Sequence, residues 1–164
     1  MFTFTGELGT LGEGDTLTFS LPEPHAPYAR VMLPVLAKEA EVVAVDAEGR
    51  PALLRRRVGS GALVLCTYPL EHLAAGTALV NPDAVRTLYD ALATAAEVER
   101  PVRVEDPRVA CDVLVHEDGT RYAWLVSQAD EALTVKPVVH GASLPPGEET
   151  TTLPPYGVAV LRLH

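Results

Sequence analysis

Alternating apolar and polar residues in the first half of the sequence predict short β-strands joined by turns. Residues 16–21 (TLTFSL) alternate with a period of two, which is typical of a strand that buries one face. The apolar run 41–46 (EVVAVD) predicts a second strand. Segments 52–58 and 62–68 flank the Gly-Ser-Gly sequence at 59–61, and this arrangement predicts a hairpin with a tight glycine turn.

One segment has the periodicity of an amphipathic helix. Asn81 is a good N-cap, Pro82 suits the first helical position, and Asp83 complements the positive end of the helix dipole. The apolar residues that follow recur at helical spacing: Val85, Leu88, Tyr89, Leu92 and Ala96. We expect a helix of about 16 residues that covers a face of a small sheet. The segment 22–40 is interpreted as extended, because prolines interrupt either a helix or a strand there.

After residue 100 the pattern predicts strands only, so we place a domain boundary there. Segments 109–115 and 121–127 surround an Asp-Gly pair at 118–119, which is a strong hairpin signal. Further strands are expected at 132–139, 151–153 and 156–163. The predicted fold class is therefore mainly β with one clear helix, in which the helix belongs to residues 1–100 and residues 101–164 form a small antiparallel β-sandwich.

Charge and composition argue against two kinds of partner, nucleic acid and membrane. The 164 residues include 13 Lys and Arg against 22 Asp and Glu, and a net charge of −9 would repel a phosphate backbone, so no nucleic-acid partner is expected. No apolar run approaches the roughly 20 residues that cross a bilayer, and the sequence begins without the pattern of a signal peptide. We therefore expect no membrane partner and favour a cytoplasmic location. Cys66 and Cys111 lie in alternating apolar segments and are interpreted as buried thiols.

Candidate catalytic chemistry is confined to Cys66, Glu71 and His72, which are close in sequence at the end of a predicted strand. A thiolate, a base and an orienting carboxylate could converge there. A reactive cysteine is usually activated by a helix N-terminus or a cation, and the sequence predicts neither, so a buried strand cysteine is the favoured interpretation. No metal-ligand spacing, phosphate-binding loop or dinucleotide fingerprint is present, so no metal and no cofactor are expected.

Two aromatic residues, Tyr122 and Trp124, face the same way on a predicted strand. Such a pair could stack a sugar ring, and Tyr156 is a third candidate for a carbohydrate-binding surface. Because aromatic residues make up only 5% of the chain, we favour the alternative in which Trp124, the single tryptophan, fills the sandwich interior. The basic run at 55–57 is expected on a solvated or domain-contact face.

Three stretches resemble the C-terminal region of multidomain glycoside hydrolases: DAEGRPALL at 46–54, VGSGALVLCTYPLE at 58–71 and LPPYGVAVL at 153–161. The family includes β-galactosidases, β-mannosidases and cellulase-like enzymes with (β/α)₈ catalytic barrels. In them the barrel is followed by a domain similar to class I glutamine amidotransferases and then by a small β-sandwich. The resemblance, from about residue 41 onward, implies that residues 1–100 are the C-terminal portion of an amidotransferase-like, flavodoxin-like α/β domain.

The resemblance also implies that the catalytic groups are missing. The His-Pro-Glu type signature of active amidotransferases corresponds here to Tyr68-Pro-Leu-Glu71, without the histidine. The carboxylates that cleave glycosidic bonds lie on a barrel that does not fit into this chain. The chain is thus predicted to be a non-catalytic accessory region that packs on the catalytic barrel of a parent enzyme and could build a homo-oligomer interface. The alternatives are a carbohydrate-binding module and, less favoured, a stand-alone enzyme.

Overall fold

The computed structural model describes residues 1–20, 32–71 and 82–164, which form two compact units, Met1–Val98 and Glu99–His164. The first unit contains β1 (Phe2–Phe4), β2 (Thr16–Leu17), β3 (Glu41–Asp46), β4 (Pro51–Val58), β5 (Gly61–Cys66) and helix α1 (Pro82–Ala95). The second contains β6 (Val102–Arg103), β7 (Val109–Val115), β8 (Arg121–Ser127), β9 (Leu133–Val135), β10 (Val138–Val139), β11 (Thr151–Leu153) and β12 (Val158–Leu163).

The first unit is built on an antiparallel sheet with strand order β2-β1-β3-β4-β5. Strand β1, which the sequence analysis did not predict, lies inside this sheet because Phe2 and Phe4 alternate with Thr3 and are almost completely buried. The predicted hairpin between β4 and β5 is confirmed. Gly59 at its turn has a φ of +59°, a conformation that favours glycine.

Helix α1 packs on the core of the first unit through Leu88 and Ala91, both buried. The spacing predicts Tyr89 in the same buried stripe, but Tyr89 is 45% exposed, and its hydroxyl donates a hydrogen bond to Glu71 Oε1 at 2.9 Å. The buried face of α1 is therefore centred on Leu88 and Ala91. Tyr89 lies at the edge of that face, where its hydroxyl can reach a polar partner. The predicted N-cap, Asn81, lies outside the described residues.

The second unit consists of small antiparallel sheets. The largest has strand order β12-β8-β7, while β11 pairs with β9 and β10 pairs with β6. Its apolar core is formed by Val102, Val109, Ala123, Leu125, Ala129, Leu133, Val135, Leu153, Leu161 and Leu163. This unit is β-sandwich-like, because side chains from several small sheets meet in one apolar core.

Two predicted strands differ most from expectation: one is divided in two, and the other is much shorter. The segment 132–139 forms two strands with different partners, since β9 pairs with β11 and β10 with β6. Pro137, between them, has no N–H group for a ladder, so the chain changes partner there. The segment 16–21 pairs only over β2.

Of the segment 22–40, residues 22–31 lie outside the described part, and residues 32–40 contain no helix or strand.

The fold class is mainly β with one helix of regular length among the described residues, and every strand pair there is antiparallel. Flavodoxin-like domains are built on a parallel sheet with helices on both faces. The amidotransferase-like part of the expectation is therefore not confirmed.

Over residues 1–20, 32–71 and 82–164, no helix is both long and apolar enough to cross a membrane.

Candidate functional site

The sheet β12-β8-β7 carries Tyr122 and Trp124 on its outer face. In β8, Ala123, Leu125 and Ser127 are buried in the core, so the residues between them point to the opposite side of the sheet. The expectation that Trp124 fills the sandwich interior is therefore wrong. The interior position next to it is taken by Ala123, which is fully buried in the core of the second unit.

Strand register arranges nine residues of this outer face in three rows. From β7 through β8 to β12, the rows are Leu114-Tyr122-Arg162, Asp112-Trp124-Val160 and Ala110-Val126-Val158. Neighbouring strands lie about 4.8 Å apart and successive rows about 6.8 Å apart. We call these nine residues the aromatic face, with Trp124 at its centre.

The aromatic face is open to solvent in the structure. Leu114, Val158 and Val160 are each about 60% exposed, at 62%, 60% and 61%, and Tyr122 and Trp124 are half-buried. Apolar side chains grouped on one surface in this way mark interaction sites in folded domains. This face is therefore the strongest candidate binding surface in the described part of the second unit.

Two charged residues lie on opposite sides of the aromatic pair. Asp112 on β7 is directly across from Trp124, and Arg162 on β12 is directly across from Tyr122. Both are exposed, and Asp112 Oδ1 accepts a hydrogen bond from the backbone N–H of Val113 at 2.8 Å. The face thus offers two aromatic rings with a hydrogen-bond acceptor on one side and a hydrogen-bond donor on the other.

Tyr156, the third aromatic candidate, lies in the turn before β12 and outside the three rows. Its backbone has a φ of +51°, its N–H donates to the Ala129 carbonyl at 2.9 Å, and the residue as a whole is 68% exposed. The structure thus places Tyr122 and Trp124 on one face and leaves Tyr156 out of it.

The candidate catalytic cluster is only partly described. Cys66 is half-buried at the end of β5, and burial raises the pKa of its thiol to about 11, so the thiol is protonated at neutral pH. Glu71 accepts its hydrogen bond from Tyr89, and His72 lies outside the described residues. No group of three or more His, Cys, Asp or Glu that could hold a metal ion occurs among the described residues.

A buried carboxylate on β3, which the sequence analysis did not identify, explains the DAEGRP turn. Asp46 Oδ1 accepts hydrogen bonds from the backbone N–H groups of Glu48 at 2.8 Å and Arg50 at 2.9 Å. Asp46 Oδ2 accepts from Arg50 Nε at 2.7 Å and from the Tyr68 hydroxyl at 2.6 Å. Asp46 is only 7% exposed, and these bonds occupy both of its oxygens.

The hydrogen bonds determine the charge state of Asp46. Burial alone would raise its pKa, but the bonds from Tyr68, Arg50 and Glu48 hold the pKa well below its usual range. Burial and the bond to Asp46 raise the pKa of Tyr68. Asp46 is therefore a carboxylate that holds the β3–β4 turn in place, and its oxygens are satisfied by its own chain.

The basic run at 55–57 forms ion pairs at the surface. Arg55 Nη2 lies 2.8 Å from Glu41 Oε2, and Arg56 Nη2 lies 2.6 Å from Glu39 Oε2. Arg55 and Arg57 also line a groove of about 800 Å³ between the β4–β5 hairpin and the C-terminal end of α1. The ion pairs are exposed, so each contributes little to stability.

The chain shares its fold with parts of β-galactosidases. The cold-adapted β-galactosidase from Rahnella sp. R3 matches with a TM-score of 0.54 and 17% identity, over 76% of this chain and 17% of that one. The β-galactosidase from Bacillus circulans sp. alkalophilus matches with a TM-score of 0.50 and 22% identity, over 79% of this chain and 18% of that one. No protein-family model and no curated protein matches the sequence.

Each match covers most of this chain but only a small part of the β-galactosidase. Three quarters or more of this chain aligns, but it spans less than a fifth of either β-galactosidase. At 17% and 22% identity the likeness shows a shared fold.

Sequence reasoning missed the charged members of the aromatic face, Asp112 and Arg162. Each is an isolated polar residue within an apolar strand: Arg162 lies between the buried Leu161 and Leu163, and Asp112 lies between half-buried neighbours. That alternation was the available signal, but placing either residue beside Tyr122 or Trp124 requires the register of three strands, which the sequence does not specify.

Proposed function

We propose that this chain is a non-catalytic accessory region of a glycoside hydrolase. The observation that carries the proposal is the fold match to two β-galactosidases in which this chain spans only 17% and 18% of the length. A segment of that size cannot contain a (β/α)₈ barrel of roughly 250 residues, which is where the catalytic carboxylates of barrel glycosidases lie.

The ionisable groups of the described residues support a non-catalytic role. Glycosidases cleave their substrate with two carboxyl groups that face each other across the bond, one of them with a raised pKa. The most buried carboxylate here, Asp46, has a lowered pKa and both oxygens bonded within its own chain. The Cys66 thiol is protonated at neutral pH because burial raises its pKa to about 11. Asp46 and Cys66 therefore lack the pKa values that a catalytic acid, base or nucleophile needs at neutral pH.

The partner in this proposal is the catalytic barrel of the parent enzyme. The chain has two units, each with its own apolar core, so each unit can fold without the barrel. The outer surfaces of the units are then available to contact a larger domain. In this role the chain packs against the barrel, and its remaining outer surface is available for self-association of the parent enzyme.

Activity measurements on the purified chain test the non-catalytic part. We expect no release of p-nitrophenol from its β-galactoside, β-mannoside or β-glucoside, and no ammonia from glutamine. Turnover at an ordinary enzymatic rate of about 1 s⁻¹ or more would overturn the proposal. The partner is tested by reading the coding DNA on both sides of this chain: an in-frame (β/α)₈ barrel supports the proposal, and a complete reading frame without one contradicts it.

A further inference from the structure

We propose that the aromatic face binds an oligosaccharide, with pyranose rings stacked on Trp124 and Tyr122 and hydroxyl groups hydrogen-bonded to Asp112 and Arg162. This inference goes beyond the accessory role, because it assigns a ligand to a surface of the second unit. It does not require the chain to cleave that ligand.

The two rings lie on one face of the sheet, close enough for a single oligosaccharide to cover both. Trp124 and Tyr122 are two residues apart on the central strand, so their Cα atoms are about 6.8 Å apart on the same face. Three strands give the face a width of about 10 Å between the outer Cα atoms. An aromatic side chain presents an apolar, electron-rich surface, and the axial C–H groups of a pyranose ring pack well against such a surface.

A charged residue lies on either side of the two rings. Asp112 can accept hydrogen bonds through its carboxylate, and Arg162 can donate up to five through its guanidinium. The two residues lie on the outer strands, on opposite sides of the aromatic pair. A sugar lying over the pair would therefore have an acceptor along one edge and a donor along the other, which complements hydroxyl groups around its rim.

The same charges disfavour a protein surface as the occupant. The centres of protein–protein interfaces are depleted of charged residues, because removing a charge from water is costly. Asp112 and Arg162 are each next to an aromatic ring, so a protein covering the rings would also cover both charges. A hydroxylated ligand satisfies them and leaves their outer sides in water. Leu114, Val158 and Val160 extend the apolar floor on which its C–H groups rest.

Tryptophan emission provides a direct measurement, because Trp124 is the only tryptophan in the chain. The purified chain is titrated separately with β-1,4-galactotetraose, cellotetraose and β-1,4-mannotetraose, and binding is followed by emission and by calorimetry. We expect a saturable change in emission, together with saturable heat, for at least one of the three probes.

Variants locate the binding site. Trp124→Ala, followed by calorimetry, and Tyr122→Ala, followed by both methods, should each weaken binding about tenfold or more. Asp112→Asn and Arg162→Met should weaken it several-fold. Tyr156→Ala is the matched control, since it removes an exposed aromatic ring outside the three rows, and it should leave affinity unchanged. Circular dichroism establishes that each variant is folded.

Three results would overturn the inference. One is the absence of saturable binding by all three probes at millimolar concentration. Another is wild-type affinity in folded Trp124→Ala and Tyr122→Ala. The third is a dimer, detected by light scattering, that Trp124→Ala converts to a monomer, because the face would then be a protein interface. None of these results bears on hydrolysis by the chain or on an upstream barrel, so the accessory role is decided separately.

Discussion

The Tyr68 hydroxyl donates a hydrogen bond of 2.6 Å to Asp46 Oδ2, joining two residues that are 22 positions apart in the sequence. Asp46 ends β3, and Tyr68 follows β5, so this bond connects the two sides of the strand β4 that lies between them. The ring of Tyr68 also packs against Phe2 at a centroid distance of 5.4 Å. The pair therefore links a polar turn to the apolar core of the first unit.

Replacing Asp46 should destabilise the first unit. Asp46→Ala leaves the Tyr68 hydroxyl and two backbone N–H groups without their acceptor, and we expect a loss of about 2–3 kcal/mol in the free energy of unfolding. Urea unfolding followed by circular dichroism measures this. Glu48→Ala is the control, because it removes only an exposed ion pair to Arg50 and should change stability by less than about 0.5 kcal/mol. Equal effects of the two variants would contradict the structural role of Asp46.

Stability of the first unit should fall in acid because of the same carboxylate. The pKa of Asp46 is lower in the folded chain than its ordinary value of 3.8, so the unfolded chain binds more protons as the pH falls toward that value. The stabilisation by Asp46 is present above about pH 5 and is lost progressively below it. Urea midpoints from about pH 6 to pH 3 should decline less steeply in Asp46→Asn than in the wild type. Parallel declines would show that Asp46 is not responsible.

The Cys66 thiol should react slowly with alkylating agents. Burial raises its pKa to about 11, so the thiolate fraction at pH 8 is far below that of an ordinary cysteine. We expect alkylation of Cys66 by iodoacetamide, followed by peptide mass spectrometry, to be at least about tenfold slower than that of glutathione. His72→Ala should leave the rate unchanged. A fast reaction that depends on His72 would instead favour the stand-alone enzyme.

How much of this molecule the sequence reveals depends on whether contacts are local. The β4–β5 hairpin was predictable because Gly59 and its neighbours determine the turn within a few residues. The bond between Asp46 and Tyr68 was not, since it forms only after three strands have paired. Strand β1 was missed because Phe2 and Phe4 give too short an alternation to be distinguished from a loop.

The sequence of β8 does not reveal which of its two faces points toward the core. The period of β8 correctly puts Tyr122 and Trp124 on one side and Ala123 and Leu125 on the other. Both sides are apolar, however, so the period cannot reveal which one faces the core. That choice is made by residues such as Leu153, which comes from β11 and packs into the same core as Leu125.

Gly9 should resist substitution more strongly than Gly14. Both have positive φ, at +57° and +91°, but a Cβ atom on Gly9 would clash with the backbone carbonyl of Ala91 in α1, whereas one on Gly14 meets nothing within 4 Å. Gly14→Ala should therefore cost about 1 kcal/mol through backbone strain alone, and Gly9→Ala about 2 kcal/mol or more. Urea unfolding followed by circular dichroism compares them. Equal losses would mean that this loop does not approach α1 so closely.

The two faces of the β12-β8-β7 sheet should respond differently to truncation. Leu125 is fully buried, so Leu125→Ala should lower the free energy of unfolding by about 2–5 kcal/mol. Val160 is 61% exposed beside Trp124, and Val160→Ala should change it by less than about 0.5 kcal/mol. Urea unfolding followed by Trp124 emission reports on both variants, because that residue belongs to the same sheet. A large loss in Val160→Ala would mean that the aromatic face is covered in solution, and a covered face could not receive a ligand.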